Sequence, residues 1–301
     1  MVKKSCSLYE VLCFSFGIIK KAPFQLFISA ILVALYLGFL HGIVAKYLSN
    51  VDFQAYGNAD VSFTILMIEA IGLFAFYATL YPFLKGYILK IGLGQMSDNR
   101  MPSFQHYFKE YGNKYKRLVV ISWQRFGYQT ISLVCLLILT WLNLLWNIYF
   151  YEPTISGIDY VLIGELACLF FIAGIPAIIG YKKFIFSEVI VLSKNKSLKE
   201  VDKENKQIPN STRIRYLIWK GILSILCFIL LLLFTQYISN PSYFYPYDVF
   251  TPISLFWPIY SLYTESSFIY ITIFALTYSF FFLLETLSTV VYYTSWDKNN
   301  R

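Results

Sequence analysis

Six long apolar runs dominate the chain, at 24–46, 62–84, 118–148, 160–181, 214–238 and 266–293. Each reaches the roughly 20 residues needed to cross a hydrocarbon core of about 30 Å. In lipid such a run must be helical, because no water is present to bond a stray N–H or C=O. The polar stretches between the runs are too short for a separate soluble domain. The 301 residues therefore read as one integral membrane domain, 1–301, of the all-α class. Charge supports this: only 14% of residues are Asp, Glu, Lys or Arg, against about 25% in soluble domains.

The lysines and arginines set the expected orientation. With the N-terminus inside, 23 of the 25 basic residues fall in inner segments or at inner span ends, and Lys46 and Arg125 are the exceptions. Asp52, Asp60, Glu152, Asp159, Asp248 and Glu265 fall outside. This asymmetry predicts a multi-pass protein of a bacterial inner (plasma) membrane with both termini cytoplasmic.

The chain also repeats. Pro82, Gly86, Tyr87 and Ser103 recur 94 residues later as Pro176, Gly180, Tyr181 and Ser197. Ser7-Leu8-Tyr9-Glu10-Val11 resembles Ser197-Leu198-Lys199-Glu200-Val201. Ser7, Ser103 and Ser197 stand where helix N-caps belong. Phe104, Tyr107, Phe108, Tyr111 and Tyr115 follow with helical spacing. Each unit is thus expected to be a cytosolic amphipathic helix followed by a hairpin of two membrane helices, three times over. The third copy is degenerate, with Tyr292 and Tyr293 but no matching Pro or Gly.

Residues 1–21 are not expected to be a cleaved signal, since Glu10, Lys20 and Lys21 interrupt the apolar part and no small-residue cleavage site follows. Leu8, Val11, Leu12 and Ile19 share a helical face. That face fits a helix lying on the membrane surface or one packed under the bundle, and both readings stay open.

Little in the chain points to catalysis. His41 and His106 fall on opposite sides of the membrane, and no nucleophile elbow, zinc-binding or phosphate-loop pattern occurs. The five cysteines form no CxxC pair or metal-ligand spacing and read as free thiols. No enzyme, cofactor or metal is expected. Nucleic acid is not expected either, because topology and anionic inner-leaflet lipid account for the basic residues.

Two features remain as candidate sites. Glu69, Glu165 and Glu285 fall inside spans, where an ionisable group is costly; a structural role, met by snorkelling or a neighbouring Tyr, and a proton, ion or substrate path are the two readings. Arg125, near the inner boundary, is the one expected basic partner, for Glu285. The last outer segment, 239–265, carries Pro241, Pro246, Pro252 and Pro258 among many aromatics. It reads as a ledge on the outer leaflet or a partner-binding surface, with Tyr245, Tyr247 and Trp257 as its candidate residues.

Six spans, the Pro-x-x-x-Gly-Tyr exit, the run Phe186-Ser187-Glu188-Val189-Ile190-Val191-Leu192 and the Ser-x-x-Glu helix resemble the YciC-like bacterial inner-membrane proteins. They are also similar to the membrane domain found beside some glycerophosphoryl diester phosphodiesterases. The closing Leu287-Ser288-Thr289-Val290-Val291-Tyr292-Tyr293 is similar to that family's ending. The resemblance implies a polytopic membrane fold and brings no catalytic residues; the phosphodiesterase domain itself is absent here. The expected function is that of a non-catalytic membrane scaffold or envelope-maintenance protein, contacting lipids or a membrane-protein partner. The alternative is a small transporter or lipid-handling carrier that uses the intramembrane carboxylates.

Overall fold

The computed structural model describes residues 7–49, 71–72, 75–76, 78–97, 103–150, 175–176, 178–180, 182–194, 196–238 and 268–300. Among these residues the regular secondary structure is all helix. The helices are α1 Leu8–Lys21, α2 Pro23–Ser49, α3 Leu80–Ser97, α4 Phe104–Phe150, α5 Ser187–Ser193, α6 Leu198–Gln207, α7 Asn210–Ile238 and α8 Phe268–Asn300.

The three expected caps are present. Ser7 and Ser197 each close a capping box with Glu10 and Glu200, and the Ser103 hydroxyl accepts the backbone N–H of His106. Each side-chain oxygen satisfies a donor that the first helical turn leaves orphaned.

The units then diverge, and proline decides how. In the first, α1 stops at Lys21 and Pro23 opens α2 at an angle of 102°. In the third, α6 stops at Gln207, and Pro209 precedes α7. Proline lacks the N–H needed to continue a helix but suits the first turn of a new one. The middle unit has no proline between Phe104 and Phe150, and α4 runs unbroken for 47 residues. The separate amphipathic helix expected there is instead the opening of one rod about 70 Å long, more than twice the thickness of a hydrocarbon core.

Two helical stretches, Asn210–Leu231 and Ala275–Lys298, are long and apolar enough to cross a membrane, and the bent pair α1 and α2 would make a third. Much of the 62–84 and 160–181 runs lies outside the described residues.

Helix α8 is the central post: α1, α2, α3, α5 and α7 all pack against it. Leu283, Leu287, Val290 and Tyr293 are buried along its length, meeting Leu26, Ala30, Ile88 and Ile91 in one apolar core. Small polar residues of α8 bond it to α7. Ser288 receives the Trp219 indole N–H at 2.7 Å, and Thr289 donates to the Tyr216 hydroxyl at 2.9 Å.

A second packing centre joins α3 and α4. Phe83 and Tyr87 interleave with Phe104, Tyr107 and Tyr111, with ring centroids 4.9–5.8 Å apart, a separation typical of favourable aromatic pairs. Tyr107 and Tyr111 are buried, whereas Phe104 and Phe108 stay exposed on the flank. The Tyr107 hydroxyl donates to the Phe83 carbonyl at 2.8 Å, and Tyr115 to Ala78 at 2.9 Å. The Ala78 carbonyl lies four residues before Pro82, whose ring removes the N–H that a helix would supply to it.

Candidate functional site

The segment from Lys182 to Lys196 changes direction twice, at a turn through Ile185 and Phe186 and again after Ser193. Such changes leave backbone carbonyls without helical donors. Cations from flanking helices supply them. Arg125 of α4 donates to Phe184 O at 2.8 Å, and Lys114 of α4 to Leu192 O at 3.0 Å. Arg117 of α4 reaches Lys196 O, and Arg213 of α7 reaches Lys182 O at 3.2 Å and the Asn205 carbonyl. Residues that read in sequence as topology markers are tethers for this segment.

At its centre lies Glu188, on the short helix α5 and 3% exposed. One carboxylate oxygen, Oε2, takes both Lys85 Nζ at 2.7 Å and Arg125 Nη1 at 3.3 Å. Lys85 and Arg125 are themselves only 5% and 4% exposed. Lys85 comes from α3, immediately before Gly86, and its ammonium also sits 5.2 Å from the centre of the Tyr81 ring. Burial alone would push the Glu188 carboxyl up; Arg125 and Lys85 outweigh it and hold the group below the ordinary glutamate range. The other oxygen, Oε1, has no hydrogen-bond partner among the described residues.

Glu285 on α8 forms a second pair, with Lys220 of α7, at 2.5 Å. Lys85 and Arg125 lie within electrostatic range of it. The expected pairing of Arg125 with Glu285 is therefore corrected. Arg125 projects from α4, which packs on α5 and so meets Glu188, while Lys220 on α7 faces α8 directly. Five helices thus contribute one charge each to a cluster of Lys85, Arg125, Glu188, Lys220 and Glu285. Glu69, Glu165, Tyr245, Tyr247 and Trp257 lie outside the described residues.

Sequence reading missed Glu188 and Lys85. The signal was present: Glu188 is the one ionisable residue in the run Phe186–Leu192, and all seven residues of that run are buried. A lone acid in such a run requires a cation brought from elsewhere in the fold.

A separate ionic group fastens α6. Glu204, 4% exposed, receives Lys194 at 2.5 Å, Lys196, and the Tyr293 hydroxyl of α8 at 2.9 Å. Lys194 also reaches Asp297 at 3.0 Å. Burial would raise the Glu204 carboxyl, but the bonds from Lys194, Lys196 and Tyr293 hold it below its usual value. A carboxyl depressed in the fold contributes stability that is complete above its unfolded value, about 4.3, and is lost as pH falls through the folded one. Docking of α6 is thus expected to loosen below about pH 4, seen as lower amide-exchange protection, relative to the intrinsic rate, in residues 198–207. Glu204→Gln should lower that protection already at neutral pH and leave it little changed by acid.

The described residues hold no cluster of His, Cys, Asp or Glu suited to a metal ion. Cys13, Cys135 and Cys227 are free thiols. The fold and the site together define a helical protein in which two or three helices among the described residues are long and apolar enough to cross a membrane. No protein-family model, curated protein or solved structure matches the chain.

Proposed function

We propose that this chain is a non-catalytic integral membrane scaffold or envelope-maintenance protein that holds lipids or a membrane-protein partner. In this reading it has six spans in three hairpins, both termini in the cytoplasm of a bacterium, and kinship with the YciC-like inner-membrane proteins. The observation that carries the reading is the engagement of its acids. Every carboxylate among the described residues is ion-paired or capping a helix: Glu10 and Glu200 at caps, Glu110 with Lys90 and Lys114, Asp202 with Lys206, Asp297 with Lys194, and Glu188, Glu204 and Glu285 as above. Groups spent on holding helices together suit a rigid platform.

The convergence of five charges from five helices favours a carrier as the second reading, since ionisable groups at membrane depth are a hallmark of transport paths. One comparison separates the two. The full-length protein and its variants are recovered in mild detergent, and membrane abundance, co-purifying lipid and protein, and cellular phenotype are measured. On the scaffold reading, Glu285→Gln changes recovered material and phenotype only as far as its abundance falls, whereas replacing Tyr245, Tyr247 and Trp257 together by Ala reduces recovered material with abundance unchanged. Loss of phenotype in an abundant Glu285→Gln, with the aromatic variant normal, overturns the scaffold and supports the carrier.

A further inference from the structure

Helix α1 carries exposed aromatics on both flanks of its buried side. That side, through Val11, Ser15 and Ile18, is packed against α8. Along one flank stand Tyr9, 75% exposed, and Phe16, 45% exposed and 6.1 Å from the Phe280 ring of α8; along the other stands Phe14, 50% exposed. The helix ends in Lys20 and Lys21, both exposed, and the chain then turns through 102° into α2.

The bend admits two placements, and charge decides between them. If Leu8–Tyr36 were one broken span, Lys20 and Lys21 would stand near its middle, where each lysine costs several kcal/mol. If α2 alone enters the hydrocarbon, the bend lays α1 close to the membrane plane and puts both lysines at headgroup level. The faces of α2 agree with the second placement. Leu26, Ala30 and Val33 turn inward, while Phe24, Ile28, Leu32 and Leu35 form an exposed stripe at i, i+4, i+8 and i+11. That stripe is the surface a lipid-facing helix presents, and it begins three residues after Lys21.

We propose that α1 lies in a lipid interface, with Tyr9 and Phe16 on one flank and Phe14 on the other seated at the headgroup–acyl boundary of one leaflet, and Lys20 and Lys21 bound to anionic headgroup phosphates. A basic end beside exposed aromatics is complementary to an anionic membrane surface. The third unit lacks such a face. The exposed side of α6 carries Lys199, Lys203 and Lys206, with Leu198 as its one large apolar residue, so a water-facing role suits it. The proposal needs only that the chain sits in a membrane, and holds for scaffold and carrier alike.

The test uses the full-length protein reconstituted in vesicles of phosphatidylcholine, with and without phosphatidylglycerol. Single spin labels are placed at 14, 16 and 20 after replacing the native cysteines. Accessibility to oxygen, which concentrates in lipid, is compared with that to a water-soluble nickel complex. Positions 14 and 16 should favour oxygen and position 20 nickel. Phosphatidylglycerol should raise the oxygen-to-nickel ratio at 16 by about two-fold or more, and added salt or Lys20→Gln with Lys21→Gln should cancel that rise. Salt acts on the unaltered lysines, so the result does not depend on the double variant folding. Nickel access at 14 and 16 would mean a water-facing helix, and shielding from both reagents a protein partner; either overturns the proposal. A ratio indifferent to phosphatidylglycerol and salt would overturn the headgroup contact.

Discussion

Glu188→Leu is expected to destabilise the protein by about 3–5 kcal/mol, the largest effect of any single side-chain exchange at the charge cluster. The substitution keeps roughly the volume but strands two cations. Lys85 and Arg125 are both buried, and Glu188 is the carboxylate that each contacts directly. The cost therefore comes from what remains behind. That origin predicts a graded series. Lys85→Met alone should cost less, because Arg125 still neutralises Glu188. Glu188→Leu combined with Lys85→Met should recover part of the loss, since one stranded charge goes with its partner. Thermal unfolding of the purified variants in mild detergent gives the order. A Glu188→Leu variant as stable as the parent would show that water reaches this cluster freely.

Gly180→Ala should be nearly as damaging, at about 3 kcal/mol or more, because it overpacks a rigid contact. A Cβ on Gly180 would fall on Tyr128 Cβ and 2.5 Å from its Cγ. The Tyr128 Cβ is fixed to the α4 backbone, so no rotamer change clears it and the two segments must separate. Its repeat equivalent, Gly86, offers a milder case. There the added Cβ meets the far end of a side chain, the Tyr107 hydroxyl at 2.5 Å, with Cζ at 3.7 Å. Gly86→Ala should cost about 1–3 kcal/mol, and Tyr107→Phe in that background should restore part by removing the clashing oxygen. Gly112→Ala is the control: nothing lies within 4 Å of its added Cβ, and the helix should gain up to about 1 kcal/mol. The same unfolding measurement covers the set, and equal losses at 86, 112 and 180 would defeat the packing argument.

Much of the local structure was legible before any coordinates. Capping depends on a serine and its next few residues, so Ser7, Ser103 and Ser197 announce three helix starts. The breaks after α1 and α6 and the continuity of α4 went unread: Pro23 and Pro209 stand at the two breaks and no proline occurs from 104 to 150, but the repeat pattern suggested a separate amphipathic helix in all three units. Periodicity placed Tyr107 and Tyr111 on an apolar face but could not rank them against Phe104 and Phe108, because hydrophobicity does not tell a protein neighbour from a lipid one. The charge cluster was legible only in part. Each member is a single residue on a different helix, and pairing follows from which helices touch, a property of the fold and not of spacing. Lys85 and Lys220 were also masked by the excess of lysine around them, where one counts as one more topology marker.

The position of α8 has a consequence for biogenesis. Its partners α1, α2, α3, α5 and α7 all precede it in the chain, so a ribosome releases every surface that α8 covers before it releases α8. The waiting faces of α2 and α3, built from residues such as Leu26, Ala30, Ile88 and Ile91, stay without their final cover in the meantime. Lys85 and Arg125 likewise wait for Glu188, the carboxylate that both contact. Synthesis therefore passes through two thresholds: neutralisation of the paired cations midway, and closure of the bundle once the chain has been read through about residue 300.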